Sequence, residues 1–453
     1  MKKVVLGFFP YKYFKNLANA LEGAGYEVVW LFTLKSDFRG FELSSSETNQ
    51  RARYYSGEYA GTRDEYPLLT SNRFVLSDRY LMRLNKELSQ KYQSGLERFL
   101  TDFLCDIGEE SIILTWRDVS PQITLLTLSN LLGKKCYVPT RARLPHNYYG
   151  LTVAIETNSF VELDNQIITE ENWAVNVLNQ YREGTVKPEL KIATTRLNDI
   201  LKLAPFHLSE FIRLLKISFI DRGNRFNRYS MAEIVVRYIK RKLNLFNYLF
   251  FPPYHKNELP KDLDYYLYML HTQPESSIDV QAQKYSNQKE LIKRIAICLR
   301  GTERLVVKIH PTDIDGHSLK LYNDIASMPG VILVKHSLSS FDLIKNSKLI
   351  FTLTGSVGIE AAFMNKKVVT FIDNFYNFYN TVYYCENISN LEDFIERVNQ
   401  DVPDDNIIES LQKFKSKLVR GAPSRVYGAD ISGLTSADLN TYINLVNYLH
   451  RDI

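Results

Sequence analysis

The side chains best suited to bind an anionic ligand follow two strands in the second half of the chain. The run RLVVKIHP at residues 304–311 has the pattern of a buried strand. Proline cannot continue a strand's hydrogen bonding, so the strand must stop at Pro311 and leave Lys308 and His310 near its carboxyl end. The run KLIFTLTGSVGIE at residues 348–360 predicts a second strand, followed by a loop and a helix. Ligands of open α/β sheets bind at the carboxyl ends of strands, so the pair predicts a nucleotide-sugar pocket.

The glycine loop, residues 354–358, is predicted to hold a phosphate of that ligand. Backbone N–H groups at the start of the following helix, with the hydroxyls of Thr354 and Ser356, can donate hydrogen bonds to an anion. Glu360 lies one turn into the helix, where it can accept hydrogen bonds from ribose hydroxyls. The motif is neither a Walker motif nor a dinucleotide fingerprint, so a plain tight turn is the alternative interpretation. The candidate nucleotide-binding residues are Lys308, His310, Pro311, Thr354, Gly355, Ser356, Val357, Gly358 and Glu360.

A third loop, LHTQPESSI, follows the first strand of the same unit. Glu275 in this loop is a candidate for acid–base catalysis or for binding sugar hydroxyls. Its polar neighbours His271, Gln273 and Ser276 are candidate substrate-binding residues. A helix-capping cluster is the alternative interpretation of the same residues.

The first half of the chain contributes a second set of charged candidates. Arginines suit the recognition of phosphate or of an acidic sugar, and a carboxylate can act on the anomeric carbon. Asp118 and Glu156 are the candidate carboxylates, with surface ion pairing as the alternative. The cationic candidates are Arg117, which follows SIILTW, and Arg141, Arg143 and His146 in PTRARLPHNYYG.

Strands that alternate with helices must position these side chains. Strand patterns at residues 2–9 and 26–33 flank a helical pattern, and a second, regular series of strands and helices begins near residue 264. Such alternation predicts parallel sheets with right-handed crossovers, and hence the α/β class. The predicted domains are an N-terminal Rossmann-like domain, a basic helical connector, a C-terminal Rossmann-like domain and a helical tail that packs back on the first, at residues 1–195, 196–252, 253–395 and 396–453.

The connector carries an unusual concentration of positive charge. Between residues 222 and 251 there are seven Lys and Arg residues and one acidic residue, Glu233, interleaved with apolar side chains. Such an amphipathic basic helix can lie on anionic lipid near a lipid-linked acceptor. A solvated helix that joins two domains is the alternative interpretation.

Composition sets broad limits on the function. With 453 residues, 45% hydrophobic and 24% charged, the chain has the make-up of a globular protein of two or three domains. A net charge of +5 favours anionic ligands or a membrane surface and does not indicate a nucleic-acid partner. The four cysteines lie far apart, which fits a reducing cytoplasm. Without a cleavage-site pattern or an apolar run long enough to span a bilayer, we expect a cytoplasmic protein, soluble or peripheral at the inner face of the cytoplasmic membrane.

Four motifs of the second half resemble those of a known family. They are LHTQPESS at residues 270–277, KIHP at 308–311, TGSVGIEA at 354–361 and FYN at 375–377. In this order they are similar to the motifs of the capsule polysaccharide biosynthesis family, which includes retaining Kdo transferases. The similarity covers about residues 260–390 closely. The first half is similar only in outline, through its ILTW and ARLP stretches.

The resemblance implies a GT-B architecture, in which two Rossmann-like domains face an interdomain cleft and the C-terminal one holds the nucleotide. It assigns Glu275 to the cleft. The acidic motif that Kdo transferases use in their N-terminal half has no clear counterpart, and Glu156 is the nearest candidate. The implied nucleotide contacts are His310, Pro311, Thr354, Gly355, Ser356 and Glu360, and the implied cleft-side loop comprises Asn374, Phe375, Tyr376 and Asn377.

The predicted function is a metal-independent glycosyltransferase. It moves a sugar from a nucleotide-sugar donor, such as CMP-Kdo, to a capsular or lipopolysaccharide-type polysaccharide or its lipid-linked precursor. No cofactor is expected beyond this co-substrate. Asp313-Ile314-Asp315 has the form of a metal-binding pair, but it follows His-Pro and is expected to start a helix. The alternatives are a nucleotide-sugar epimerase or CDP-polyol phosphotransferase of similar fold, and a non-catalytic polysaccharide assembly or export factor.

Overall fold

The protein contains two α/β units, each built around a central sheet with an apolar core on both faces. The predicted class, α/β with two Rossmann-like domains in the GT-B-like manner, is confirmed. The computed structural model describes residues 2–44, 50–57, 72–145, 148–155, 157, 159–163, 172–182, 208, 211–221, 226–254, 259–260, 263–403, 406–420 and 436–450.

Strands and helices alternate through both units. The strands are β1 (Lys3–Gly7), β2 (Glu27–Phe32), β3 (Arg51–Tyr54), β4 (Ile112–Thr115), β5 (Lys135–Arg141), β6 (Tyr148–Thr152), β7 (Tyr265–Met269), β8 (Arg304–Lys308), β9 (Val331–Val334), β10 (Ile350–Thr352), β11 (Val368–Thr370), β12 (Val382–Tyr384) and β13 (Val419–Arg420). The helices are α1 (Tyr11–Gly23), α2 (Lys35–Ser44), α3 (Arg73–Leu76), α4 (Lys86–Asp106), α5 (Ser120–Leu131), α6 (Trp173–Arg182), α7 (Met231–Phe250), α8 (Ser276–Asp279), α9 (Gln288–Ile297), α10 (Leu319–Ala326), α11 (Ser340–Asn346), α12 (Ser356–Phe363), α13 (Leu391–Gln400), α14 (Ile407–Lys415) and α15 (Ser436–Leu449). Residues 211–220 are also helical, and 3₁₀ turns occur at Gln283–Tyr285, Pro311–Asp313 and Ile388–Asn390.

The first sheet has the strand order β13-β6-β5-β4-β1-β2-β3. Strands β3, β2, β1, β4 and β5 are parallel, as predicted, whereas β6 and β13 pair antiparallel at one edge. The sequence patterns did not predict this edge. Its cause is the short connection from β5 to β6 at residues 142–147, because a parallel crossover needs about a dozen residues or more.

The second sheet has the order β12-β11-β10-β7-β8-β9 and is parallel throughout. Its strands are short and rich in aromatic and branched apolar residues, because both faces of a parallel sheet are covered by helices. From β7 the chain adds β8 and β9 on one side, and it then returns to add β10, β11 and β12 on the other side of β7. A crevice opens beyond the carboxyl ends of strands at such a topological switch point.

Segments of the chain cross between the two units. Helix α6, early in the sequence, packs against α14 and contributes Trp173 and Tyr181 to the core of the second unit. The Tyr181 hydroxyl donates a hydrogen bond to the Glu360 backbone oxygen at 3.3 Å. Strand β13 and helix α15, at the end of the sequence, return to the first unit, where β13 extends the sheet and α15 packs on α1.

Helix α7 is fixed to both units. It begins with a capping box in which Ser230 and Glu233 exchange hydrogen bonds, and Arg83 of the first unit donates to both Glu233 carboxylate oxygens at 2.6 and 2.7 Å. Further along, Arg241 donates to both Asp315 carboxylate oxygens of the second unit at 2.9 and 2.6 Å. In the part of the chain that the structure describes, neither α7 nor any other helix has the length and apolar run that crossing a bilayer requires.

Candidate functional site

Three strand ends of the second unit meet at its switch point. The Leu353 N–H, which follows β10, donates a hydrogen bond to His271 Nε2, which follows β7, at 3.3 Å. His310, which follows β8, lies with Nδ1 3.0 Å from the Thr272 hydroxyl. A Cβ on Gly355 would lie 3.0 Å from His271 Cε1, so a glycine permits the close approach. The residues that the sequence singled out in three separate loops therefore lie together. We call this surface, formed by the loops after β7, β8 and β10, the wall of the cleft.

His271 joins two of these loops from a buried position. Burial, with a smaller effect of His310 and Arg143, lowers the pKa of His271 to about 3, so the ring is neutral. Because Nε2 accepts the Leu353 N–H, this neutral ring carries its proton on Nδ1. The backbone N–H of His271 donates to Gln288 Oε1 at 2.8 Å. These contacts hold the wall together, and a substrate contact of His271 stays a prediction.

Gln273 is tied into the same loop. Its backbone N–H donates to Asp313 Oδ2 at 3.1 Å, and its side-chain amide donates to Asp279 Oδ1 at 3.1 Å and to the Ser286 backbone oxygen at 2.9 Å. Its amide oxygen accepts from Gln288 at 2.8 Å. The described contacts of Gln273 are thus with protein groups, and its predicted role in substrate binding remains untested.

The glycine loop opens helix α12 without a side-chain cap. Gly355 occupies the N-cap position, so the first N–H groups of α12 have no capping side chain. The Thr354 hydroxyl is buried and has no hydrogen-bond partner among the described residues. Other buried hydroxyls of the described residues, such as those of Ser129 and Thr381, share this property, so Thr354 is a candidate ligand contact because of its position in the glycine loop. Pro311 starts the 3₁₀ turn after β8, and Val357 is buried within α12.

The bracing segment, residues 373–377, holds the glycine loop from behind. The Asn374 amide donates to the Leu353 backbone oxygen at 2.7 Å. The Tyr376 hydroxyl donates to the Gly355 backbone oxygen at 3.2 Å, and its ring lies where a Cβ on Gly358 would be, with ring atoms 2.6–2.8 Å away. Both side chains therefore position the loop, whereas the sequence predicted that they bind substrate; that role stays a prediction.

The bracing segment also connects to the first half of the chain. Asp373 accepts hydrogen bonds from the hydroxyls of Thr157 and Ser159, the latter at 2.7 Å. Arg117, buried at the end of β4, donates to the backbone oxygens of Ala154 at 2.9 Å and of Thr157 at 2.7 Å. Burial lowers the pKa of Arg117 to about 9. Arg117 thus supports the backbone at Ala154 and at Thr157 from within the first unit.

Lys308 is the buried cation of the wall. Its ammonium donates to the Ser340 hydroxyl at 2.6 Å, and burial lowers its pKa to about 8, against a raising effect of Glu360. A group with this pKa is mostly charged at pH 7 and mostly neutral at pH 9. The positive charge that Lys308 offers to an anionic ligand therefore decreases over a pH range that experiments can reach.

Nucleotide binding is expected to weaken as the pH rises from 7 to 9, because the Lys308 ammonium loses its proton in this window and with it its attraction for phosphate. The measurement is the dissociation constant of a bound nucleotide at half-unit steps of pH. The Lys308→Met variant should bind more weakly at pH 7 and show a flatter pH dependence. A wild-type profile that matches that of Lys308→Met would contradict the prediction.

Arg143 of the first unit faces the wall across the cleft. Its charge acts on His271, His310, Glu275 and Tyr376, which places its guanidinium within electrostatic reach of the loops after β7 and β8 and of the bracing segment. The Arg143 backbone has φ of 63°, a left-handed conformation that costs a non-glycine residue about 1 kcal/mol or more. The turn after β5 thus carries strain at the point where an exposed arginine enters the cleft.

Glu275 is an exposed residue in the loop after β7, and its carboxylate lies within electrostatic reach of Arg143. Its pKa is raised, because desolvation by the surrounding walls and the nearby Asp118 and Asp313 outweigh Arg143 and a hydrogen bond with Ser277. Glu275 occupies the N-cap position of α8 but makes no side-chain capping hydrogen bond. The capping alternative therefore does not account for its carboxylate. Ser276, the first residue of α8, is partly exposed beside it.

Asp118 is held in an ion pair. Its carboxylate accepts a short hydrogen bond from Arg79, so the surface-pairing alternative describes its contacts. Arg79 and Asp118 both act electrostatically on Asp279 of the second unit, which places the pair at the cleft. Arg141 ends β5 opposite Tyr149. Glu156 and His146 lie outside the described residues.

Sequence reasoning missed several partners of the candidate residues: Arg79 pairs with Asp118, Thr272 contacts His310, and Ser340 contacts Lys308. They follow no motif: Arg79 lies in an irregular turn after α3, Thr272 is one polar residue among several in its loop, and Ser340 begins a helix after a different strand. The order of the sheet provides the one available signal, since β9 adjoins β8 and brings α11 towards Lys308. Within the described ranges, no three His, Cys, Asp or Glu side chains converge as a metal site would require.

Residues 224–384 match the family model described as capsule polysaccharide biosynthesis protein. The predicted resemblance is confirmed over this segment, which includes β7 to β12 and the whole switch point. A search of curated proteins finds no match.

Several solved structures are remotely similar to this chain, and each match covers most of it. KpsC of Thermosulfurimonas dismutans, described as a β-Kdo 2,7 transferase, is 12% identical with a TM-score of 0.33, and the match covers 77% of this chain and 88% of that one. A β-Kdo 2,4 transferase of the same organism is 12% identical with a TM-score of 0.32, covering 74% and 86%. The UDP-GlcNAc 2-epimerase of Methanocaldococcus jannaschii is 12% identical with a TM-score of 0.25, covering 89% and 94%.

Proposed function

We propose that this protein, whose residues 224–384 match the capsule polysaccharide biosynthesis family, is a glycosyltransferase that takes its sugar from a nucleotide-sugar donor. The observation that carries the proposal is the convergence of His310, Lys308 and the uncapped start of α12 at one switch point. Such a site offers an imidazole, an ammonium and backbone N–H donors to one anion. Donors fixed in advance stabilise the charge that develops on a departing phosphate.

The proposed reaction needs no metal ion. A hydroxyl oxygen of the acceptor forms a bond to the anomeric carbon and gives its proton to a base, for which Glu275 is the candidate. The bond between the anomeric carbon and the phosphate oxygen breaks, and its electron pair stays on the phosphate. Lys308, His310 and the N–H groups of the glycine loop then face that charge. The unpartnered Thr354 hydroxyl supports this arrangement, because a phosphate oxygen would give it an acceptor.

We propose an acidic sugar such as Kdo, carried on CMP, as the donor sugar. Arg143 supports this choice, since a guanidinium binds a carboxylate in a bidentate manner and this one enters the cleft from a strained turn. The proposed acceptor is a capsular or lipopolysaccharide-type polysaccharide or its lipid-linked precursor. Such an acceptor would bring the protein to the cytoplasmic face of a membrane.

Calorimetry with CMP, CDP, UDP and GDP tests the nucleotide site. The wild type is expected to bind one of them, and His310→Ala should weaken that binding about tenfold to a hundredfold, the range for a hydrogen bond to a charged group. The matched control is His450→Ala, a buried histidine at the end of α15. Failure of all four nucleotides to bind, or equal binding by His310→Ala, would refute the proposal.

Product analysis separates the proposal from its alternatives. A glycosyltransferase should release free nucleotide in proportion to acceptor elongated. An epimerase would convert the sugar of the donor without any acceptor, and a CDP-polyol phosphotransferase would leave CMP and a phosphodiester in the product. A non-catalytic assembly factor would do none of these.

A further inference from the structure

An apolar stripe runs along the outer face of α7. Its members lie three or four residues apart, so they share one side of the helix. Their side chains are 52–65% exposed, which is unusual for large apolar residues on neighbouring turns. The apolar stripe comprises Val236, Ile239, Leu243, Phe246 and Phe250.

The opposite face of α7 holds the helix in this orientation. Ile234, Asn244 and Tyr248 are buried against the protein. Asn244 donates to the Asp315 backbone oxygen at 3.0 Å, and the Tyr248 hydroxyl lies 2.7 Å from His336 Nδ1. The helix cannot rotate its apolar stripe inwards without breaking these contacts.

Cations border the apolar stripe on both sides. At 100° per residue, Lys240 lies along one border and Lys242 along the other. The Lys242 ammonium lies 5.3 Å from the centre of the Tyr238 ring. Glu233 is the one acidic residue in the sequence of α7, and its carboxylate accepts hydrogen bonds from Arg83 and Ser230. The stripe is therefore apolar at its centre and positive at its edges.

We propose that the apolar stripe of α7 inserts into the interfacial layer of an anionic lipid membrane. An amphipathic helix with lysines bordering its apolar face lies in the plane of such a surface, with its apolar side chains among the acyl chains and its ammonium groups at the phosphates. The proposal takes its biological context from the lipid-linked acceptor of the proposed function. The apolar stripe and its bordering lysines do not depend on which sugar donor the protein uses.

A second copy of the chain is the less suitable occupant. If two copies of the chain paired their α7 stripes about a two-fold axis, the helices would run antiparallel. The midpoint of one α7 would then face the midpoint of the other. Lys240 and Lys242 lie near that midpoint on the two borders of the stripe, so each would lie beside the same lysine of the other copy, and like charges would meet along both borders of the interface. An anionic surface converts the same charges into attraction.

Co-sedimentation of the full-length protein with vesicles tests the proposal. Vesicles of equal parts phosphatidylglycerol and phosphatidylcholine should bind the protein, whereas pure phosphatidylcholine should bind it at least tenfold more weakly. The triple variant Leu243→Ser, Phe246→Ser, Phe250→Ser should bind the mixed vesicles at least a hundredfold more weakly. Lys240→Ala and Lys242→Ala should each weaken binding about fivefold, the effect of one surface cation.

Controls separate insertion from unfolding and from self-association. The double variant Ile297→Ser, Val402→Ser removes exposed apolar residues elsewhere and should bind like the wild type. In Phe246→Trp, the emission of the new indole should shift to the blue on addition of mixed vesicles, which reports insertion in a folded chain. Absence of vesicle binding, absence of the blue shift, or a wild-type dimer that the triple variant dissociates would overturn the proposal.

The two proposals can fail separately. The vesicles contain neither donor nor acceptor, so vesicle binding does not depend on transfer. The triple variant should keep the nucleotide affinity of the wild type, because the stripe lies on the outer face of α7. If nucleotide binding is absent while vesicle binding persists, the proposed function fails and the membrane surface stands.

Discussion

Glu275→Gln is expected to lower the rate of sugar transfer by about 10²–10⁴-fold, the usual contribution of a general acid or base. Glutamine keeps the size of the side chain but can neither take up nor release a proton. Desolvation raises the pKa of Glu275 above its ordinary value, which is the direction that favours proton transfer by this carboxyl group. Nucleotide affinity should change little, because the nucleotide contacts are assigned to other loops. Steady-state rates with a saturating donor, together with calorimetry, measure both quantities.

Two comparisons sharpen this expectation. Asp118→Asn should cause a smaller loss, because Asp118 is already engaged by Arg79. Glu396→Gln alters an exposed carboxylate that pairs with Arg300 and should leave the rate unchanged. A Glu275→Gln enzyme that keeps more than about a tenth of the wild-type rate would remove Glu275 from acid–base catalysis.

Gly358→Val is expected to abolish nucleotide binding and to lower the free energy of unfolding by about 3 kcal/mol, as for severe overpacking. A Cβ at this position would lie 2.6 Å from one Tyr376 ring atom and 2.7 Å from its hydroxyl oxygen. Tyr376 is fully buried, so its ring would have to leave and would release the Gly355 backbone oxygen. Denaturant titration and calorimetry measure the two effects.

A compensating change tests this cause directly. In the double variant Gly358→Val, Tyr376→Ala the clash is removed, so the valine should cost less than it does alone. Tyr376→Phe removes the hydroxyl only and should cost about 1 kcal/mol. Gly301→Val, at a site with no atoms nearby, should be neutral. Unchanged nucleotide binding in Gly358→Val would show that the bracing segment does not govern the glycine loop.

The sequence predicted the fold well where strands are buried on both faces. The apolar runs of β7, β8 and β10 are long enough to predict strands without ambiguity, and the strand predicted within residues 304–311 is β8, which ends before Pro311. Strand β3, with the sequence RARY, was not predicted, because its side chains are polar and half-exposed. The two-residue β13 carries no periodic signal, and its pairing with β6 depends on tertiary contact alone.

The candidate site was predictable to the extent that it follows from strand order. Once β7, β8 and β10 are neighbours, their carboxyl ends must converge, and His271, His310 and the glycine loop converge with them. Sequence spacing could not distinguish side chains that face the cleft from those that support it. Asn374 and Tyr376 are buried beneath the loop, because hydrogen bonds to backbone oxygens hold them there.

The crossing of α6, β13 and α15 between the units makes the two halves of the polypeptide mutually dependent. A fragment ending at Pro252 would lack β13 and α15, which would uncover apolar residues of α1 and the free edge of β6. A fragment starting there would lack α6, which would uncover Phe363 beside Tyr181. Each half completes the other, so gene division or proteolysis near this point should yield two insoluble pieces rather than two working modules.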